Sequence, residues 1–313
     1  MRKVRFHRYG NAEVLRLDEV AAPTPGPGEV LVAVEAAGVS LMLLKMLAGA
    51  GEAPLPGSPG GGFVGRIAAV GAEVTECQVG DRVGGVAAET YADLLLATPA
   101  LITSVPEGAS AADALCLVHG GLVALAALRV GALEPGQSVL VTNAAGGVGH
   151  LIVQLAKALG AARVVAAVSS SDKGEFLRSQ GADEVVGYQD VHWGAPVDLV
   201  LEGAGGEVLP RALAALLPFG RLVTLAGYGG TLDAGAVLGS AVTVTGLSMG
   251  QLARHRPKLV ADCRAELWRL LAEGRLCPST QVFGLEHAAE AVTLLQARGS
   301  LGKVVLSVES VES

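Results

Sequence analysis

The sequence predicts an α/β protein, with a doubly wound parallel sheet joined to a second, mainly β domain. Three observations carry this. Before residue 110 the apolar residues form short alternating runs separated by Gly/Pro clusters, as strands and turns do. Beyond residue 138, strand-like and helix-like runs take turns, which is the mark of βαβ units. Where the two patterns meet, an apolar strand opens onto a glycine-rich corner at residues 143–149 and then an amphipathic helix.

In chain order, residues 4–6 and 14–17 read as short strands, 22–28 as a Pro/Gly turn cluster and 30–36 as an alternating strand. Residues 49–62 are loop and 63–70 strand, and Gly80-Asp81-Arg82-Val83 is a turn entering a strand. Ser110-Ala111-Ala112-Asp113 has the form of a capped helix start, and an apolar helical run follows to residue 130. Strands at 138–142, 163–168, 185–186, 197–201, 221–225 and 242–246 then alternate with helices at 148–159, 173–180 and 209–217. A long helix at 257–273, a strand near Gln281, a helix at 286–296 and a strand at 303–308 are expected to return to the first domain. The expected boundaries are thus 1–113 and 253–313 for one domain and 114–252 for the other.

Composition bounds the function. The 313 residues suffice for two domains with substantial cores. With 51% hydrophobic and 17% charged residues, the chain is globular rather than disordered. A net charge of −7 without a Lys/Arg block gives no support to nucleic-acid binding. Met1-Arg2-Lys3-Val4-Arg5 is basic, but no apolar segment follows, so no signal peptide is expected. The apolar stretch at 115–128 is interrupted by His119 and two glycines and reads as too short for a bilayer, leaving a cytoplasmic location as the expectation. Cys77, Cys116, Cys263 and Cys277 are scattered without C-x-x-C spacing, so unpaired reduced thiols are expected rather than disulfides or a zinc lobe.

The corner at 143–149 carries the chemistry. Its pattern A-x-G-x-x-G, from Ala144, Gly146 and Gly149, departs from a dinucleotide fingerprint only in Ala144. Small residues are needed there because backbone amides must approach a pyrophosphate at the helix N-terminus. Asn143, Ala144, Gly146, Gly147, Val148 and Gly149 are therefore candidate cofactor residues. An NAD site has an acidic residue at the end of the next strand to bind the ribose 2′-OH. Here that strand ends in Ser169-Ser170-Ser171-Asp172-Lys173. Hydroxyls and a lysine suit a 2′-phosphate, so Ser169, Ser170 and Lys173 point to NADPH. Asp172 fits a capping box with Glu175. Glu202, at the end of a later strand, suits either ribose hydroxyls or solvent.

These residues resemble a known family. VTNAAGGVGHLIVQLAKALG at residues 141–160 is similar to the cofactor turn and helix of the zinc-free quinone oxidoreductases of the medium-chain dehydrogenase/reductase superfamily. Gly80-Asp81-Arg82-Val83, Pro106-Glu107-Gly108-Ala109-Ser110, Val197-Asp198-Leu199-Val200-Leu201-Glu202, Gly220-Arg221-Leu222-Val223 and Gly302-Lys303-Val304-Val305-Leu306 extend the resemblance over nearly the whole chain. It implies a GroES-like catalytic domain, a Rossmann domain, a cleft holding the nicotinamide, and a homodimer paired through the strand near 242–246. It also implies that Lys173 and Tyr188 contact the 2′-phosphate end, and Gly227 and Lys303 complete the expected cofactor set. Zinc-dependent relatives carry a Cys and a Gly-His-Glu where this chain has Val39-Ser40-Leu41-Met42 and Gly60-Gly61-Gly62-Phe63-Val64-Gly65, so no metal is expected. Relatives have Asn, Asp and Thr where this chain has Ser40, Leu43 and Val123, which implies a greasier cleft. The stretch from Tyr188 to Val197 is short by the family's standard.

The implied reaction is hydride transfer from NADPH to a quinone or an α,β-unsaturated carbonyl, a small hydrophobic conjugated substrate. Alternatives are a tailoring reductase of a biosynthetic intermediate and a low-turnover NADPH-binding sensor or structural protein. No proton donor declares itself. His119, Tyr91 and Ser40 are the candidates, and water is the other source.

Overall fold

The computed structural model describes residues 1–51, 54–225 and 229–308. The chain forms two compact units, Met1–His119 with Ser279–Ser313, and Gly120–Pro278.

The first unit starts with β1 (Arg2–Phe6) and β2 (Leu15–Glu19), an antiparallel pair, followed by β3 (Val30–Gly38), the short helix α1 (Leu41–Leu47), β4 (Gly61–Val70), β5 (Arg82–Ala87), β6 (Leu94–Ala97), β7 (Ile102–Ser104) and α2 (Ala111–Leu115). The second unit contains α3 (Leu122–Val130), β8 (Ser138–Thr142), α4 (Gly149–Ala158), β9 (Arg163–Val168), α5 (Gly174–Ser179), β10 (Glu184–Gly187), β11 (Val197–Glu202), α6 (Val208–Ala214), β12 (Leu216–Thr224), α7 (Ala234–Gly239), β13 (Thr243–Gly246), α8 (Met249–His255) and α9 (Pro257–Ala272). The chain then returns to the first unit with β14 (Thr280–Gly284), α10 (Ala288–Gln296) and β15 (Lys303–Ser307).

In the first unit the main sheet runs β14-β15-β3-β4-β5-β7, with β6 also paired to β3. Alternate residues of β3 are buried, and Val30, Val32 and Val34 meet Phe6, Phe63, Ile67 and Leu306 in one core. The Gly-Asp-Arg-Val turn is a structural tie. Buried Arg82 donates to Glu35 on β3 at 2.7 Å, to the Pro106 carbonyl at 2.9 Å and to the Ala109 carbonyl at 2.7 Å. The Ser110 cap forms as expected, its hydroxyl accepting from the Asp113 amide at 3.1 Å.

The second unit is a six-stranded, all-parallel sheet in the order β10-β9-β8-β11-β12-β13. Its central strands are buried on both faces, β9 from Val164 through Val168, as helices covering both sides require.

Several expectations are corrected. The unit junctions lie at 119/120 and 278/279 instead of 113/114 and 252/253. The long helix α9 does not return to the first unit: it buries Val260, Cys263, Leu267 and Leu270, packs on α3, and its Glu266 pairs with Arg129 at 2.7 Å. The helical run from 111 to 130 contains a π turn, Cys116–Gly121, where two glycines loosen the backbone. That run of 20 residues is long and apolar enough to cross a membrane by length and composition, contrary to the reading of 115–128, but 67% of its most apolar window is buried inside the protein. The Asp172 capping box does not form: Ser171–Lys173 is a 3-10 turn, and α5 starts without a side-chain cap. Helix α6 ends at Ala214 because Leu216 already joins β12, and Phe219 turns the strand with a φ of 65°.

Candidate functional site

Strand order reverses between β8 and β11, and a doubly wound sheet binds its ligand outside the carboxyl ends at that point. The corner at 143–149 leaves β8 there. Asn143 takes a φ of 52°, a left-handed conformation that Asn tolerates better than most residues. Its carbonyl accepts from the Gly146 amide at 3.1 Å and closes the turn. At Gly149 a Cβ would lie 2.3 Å from the Asn143 carbonyl oxygen and 2.6 Å from the Ala144 Cα, so only glycine lets the helix start this close to the strand. At Gly146 a Cβ would stand 3.1 Å from Asn143 Oδ1, inside the concavity of the turn. The cradle thus has the bare backbone that a diphosphate needs at the first turn of α4.

His150 fixes the cradle from below. It is fully buried, and its Nδ1 bonds the Gly146 carbonyl at 2.9 Å, as donor in the tautomer that this acceptor requires. Burial pulls its imidazole down to about 4, so the ring is neutral at pH 7. A histidine inside an apolar helix gives no local signal in the sequence.

The ends of β9 and β10 complete this side. Val168, the last residue of β9, accepts from the Tyr188 amide at 2.8 Å. The Tyr188 hydroxyl in turn accepts from the Asn143 amide at 2.7 Å, so Tyr188 touches the glycine corner itself. Ser169 and Ser170 lie exposed just beyond Val168, with half-buried Lys173 after them; no carboxylate occupies position 169, and Asp172 is exposed. The short segment after Tyr188 is held by Arg211 of α6, which donates to the Tyr188 and Asp190 carbonyls and lies 4.8 Å over the Trp193 ring. Arg211 and Trp193 carried no signal in the sequence, because their contact joins α6 to a loop across the sheet end. Gly227 lies outside the described residues.

The remaining candidates belong to the first unit. Lys303 donates to the Val39 carbonyl at 2.8 Å, and burial holds its ammonium below the ordinary lysine range. Tyr91 is 0% exposed, gives its hydroxyl hydrogen to the Gly38 carbonyl at 3.3 Å, and is pushed upward by burial; its proton is not on offer to a substrate. His119 lies in the π turn, where the protein packed around its ring and the charge of Lys303 hold it below the ordinary histidine value. Ser40 precedes α1 without a side-chain cap bond, which leaves its hydroxyl uncommitted to the helix. Leu43 is buried in the core of the first unit, which corrects its expected place on a cleft wall; Val123, on α3 of the second unit, is half-buried.

Among the described residues no group of three or more His, Cys, Asp or Glu is placed to hold a metal ion. The four cysteines are unpaired, and burial pushes the Cys116 thiol up to about 12.

Two family models match the chain. One, described as an alcohol dehydrogenase GroES-like domain, covers residues 26–122, and the other, described as a zinc-binding dehydrogenase, covers residues 147–271. The metal belongs to that description; Ser40 and the glycines at 60–62 offer no thiolate, imidazole or carboxylate here. A quinone oxidoreductase of Pseudomonas aeruginosa is 31% identical over 97% of this chain and 99% of its own. The crystal structure of Escherichia coli quinone oxidoreductase complexed with NADPH matches with a TM-score of 0.88 at 25% identity, covering 98% of this chain and 100% of the other. The crystal structure of CurK enoyl reductase matches with a TM-score of 0.85 at 26% identity, covering 98% and 99%.

Proposed function

The chain belongs to the quinone oxidoreductase branch of the medium-chain dehydrogenase/reductase superfamily, and from that premise we propose that it is an NADPH-dependent reductase acting on a quinone or an α,β-unsaturated carbonyl. The observation that carries the proposal is the bare glycine corner at the reversal of strand order, flanked by hydroxyls and a lysine where an NAD site has a carboxylate. The nicotinamide, when bound, supplies the hydride. The chain's own part is to hold and select. The amides of residues 144–149 would take the diphosphate, with Tyr188 bracing Asn143. Ser169, Ser170 and Lys173 would donate to the 2′-phosphate, an acceptor-rich group that a carboxylate at this position would repel.

Protonation of the reduced substrate falls to water in this reading. Tyr91 is sealed, and a neutral His119 is a poor acid at pH 7. The likeness to CurK enoyl reductase keeps an enone beside a quinone as acceptor, and Val123, where relatives carry a threonine, agrees with an apolar one. A homodimer formed along the β13 edge is supported by that strand's exposed Thr243 and Gly246 and by nearby Phe219, which is 84% exposed. The test is NADPH oxidation with 9,10-phenanthrenequinone and a panel of enones. Turnover with either class supports the proposal, and enones alone would select the enoyl reductase reading. Tight NADPH binding without turnover on any acceptor would reduce the protein to a cofactor-binding sensor.

A further inference from the structure

The last residues of β8 and β11, Thr142 and Glu202, meet where the strand order reverses. Both are buried, and Glu202 has 0% exposure. A carboxyl group cut off from water must find its donors in the protein. Oε1 of Glu202 collects three: the Thr142 hydroxyl at 3.2 Å, the Ala204 amide at 2.8 Å and the Gly205 amide at 2.7 Å. Thr142 Oγ1 accepts from the Gly203 amide at 2.8 Å. Three successive amides after β11 therefore point down into the sheet end. A planar trans peptide sets its carbonyl opposite to its N–H. The carbonyls of Gly203 and Ala204 must then face away from the sheet end, on the side where a ligand at the reversal lies. The Gly203 carbonyl already draws the Asn143 side-chain amide, at 3.5 Å, from the glycine corner. Glu202 Oε2 meets no donor among the described residues.

We infer that Glu202 is a positioning residue for the nicotinamide half of the dinucleotide. By capturing the loop's amides it turns carbonyl acceptors outward, where the hydroxyls of the nicotinamide ribose and the carboxamide are donors. The half follows from topology: β8, β9 and β10 serve the adenosine side, marked by Ser169 and Lys173, while β11, β12 and β13 form the other mononucleotide half. The inference rests on the dinucleotide reading proposed above.

The test compares two probes by calorimetry, NADPH and adenosine 2′,5′-bisphosphate, which carries only the adenosine half. Glu202→Leu keeps bulk and removes the acceptor. It is expected to lower NADPH affinity about tenfold, the effect of one well-placed hydrogen bond, and to leave the bisphosphate unchanged. Glu202→Gln keeps Oε1 and should restore NADPH binding. Thr142→Val frees the Gly203 amide and should show the same selectivity with a smaller loss; it carries the test alone should Glu202→Leu not fold. Equal loss of both probes, no loss of either, or a Glu202→Gln variant as weak as Glu202→Leu overturns the inference. A wild-type protein that binds the bisphosphate and NADPH equally well overturns it too. Binding of neither probe by the wild type sinks the dinucleotide reading itself.

Discussion

The histidine beneath the glycine corner makes the sheet unit sensitive to acid in a calculable way. His150 is 0% exposed, and its ring value falls from 6.5 to about 4 because burial disfavours the imidazolium. In the unfolded chain the same ring takes up a proton near its ordinary value. The unfolded state therefore binds more protons, and the contribution of this group is fully present above 6.5 and lost as pH falls toward 4. The full loss corresponds to about 3 kcal/mol. His150→Asn keeps a donor for the Gly146 carbonyl and removes the titration. Both tryptophans, Trp193 and Trp268, lie in the second unit, so urea unfolding followed by tryptophan fluorescence reads that unit alone. Carboxylates held low by their donors, such as Asp183 and Asp198, weaken both proteins equally in acid and cancel in the difference. Wild-type stability relative to His150→Asn should fall by about 3 kcal/mol between about pH 7 and about pH 4. A difference that stays flat over that range would refute the buried neutral imidazole.

Other substitutions probe the remaining claims. Gly149→Ala drives a Cβ to 2.3 Å from a backbone oxygen, so it should cost about 1–3 kcal/mol in thermal unfolding and abolish NADPH binding; a variant with wild-type affinity would show that the corner is not the cradle. Lys173→Ala should weaken NADPH by about 2 kcal/mol, a charge-assisted bond, and leave NADH nearly unchanged; equal losses in titration would remove the 2′-phosphate assignment. Arg82→Ala should destabilise the first unit by about 3 kcal/mol, since its bonds to Pro106 and Ala109 go unmade. Arg66 still faces Glu35 at 3.4 Å and limits the loss. Urea unfolding followed by circular dichroism checks this, and a change below about 1 kcal/mol contradicts the tie.

What could be read from the sequence was what is local. The Gly-rich corner, the Ser110 cap and the buried runs of β8, β9 and β11 each state their structure within a few neighbouring residues. Short strands such as β6, with Leu94-Leu95-Leu96 and no polar alternation, carried no period to recognise. The place of α9 depended on Cys263 and Leu267 meeting α3, a contact far away in sequence. The glycine corner was legible because a strand that turns this sharply into a helix demands small residues at fixed spacing. The supports beneath it were not: His150 and Arg211 act through bonds to backbone at turns, and Glu202, though singled out at its strand end, gave no sign of the amides it collects; only the folded chain brings those groups together. Tyr91, read from sequence as a possible acid, turned out to be sealed by its bond to Gly38.

The central claim is that a dinucleotide lies against the backbone of residues 143–149, and a crystal structure grown with saturating NADPH tests it most directly. The diphosphate is expected on the amides of that corner and the 2′-phosphate beside Ser169 and Lys173. NADPH bound elsewhere, or a corner left without nucleotide in such a crystal, contradicts it.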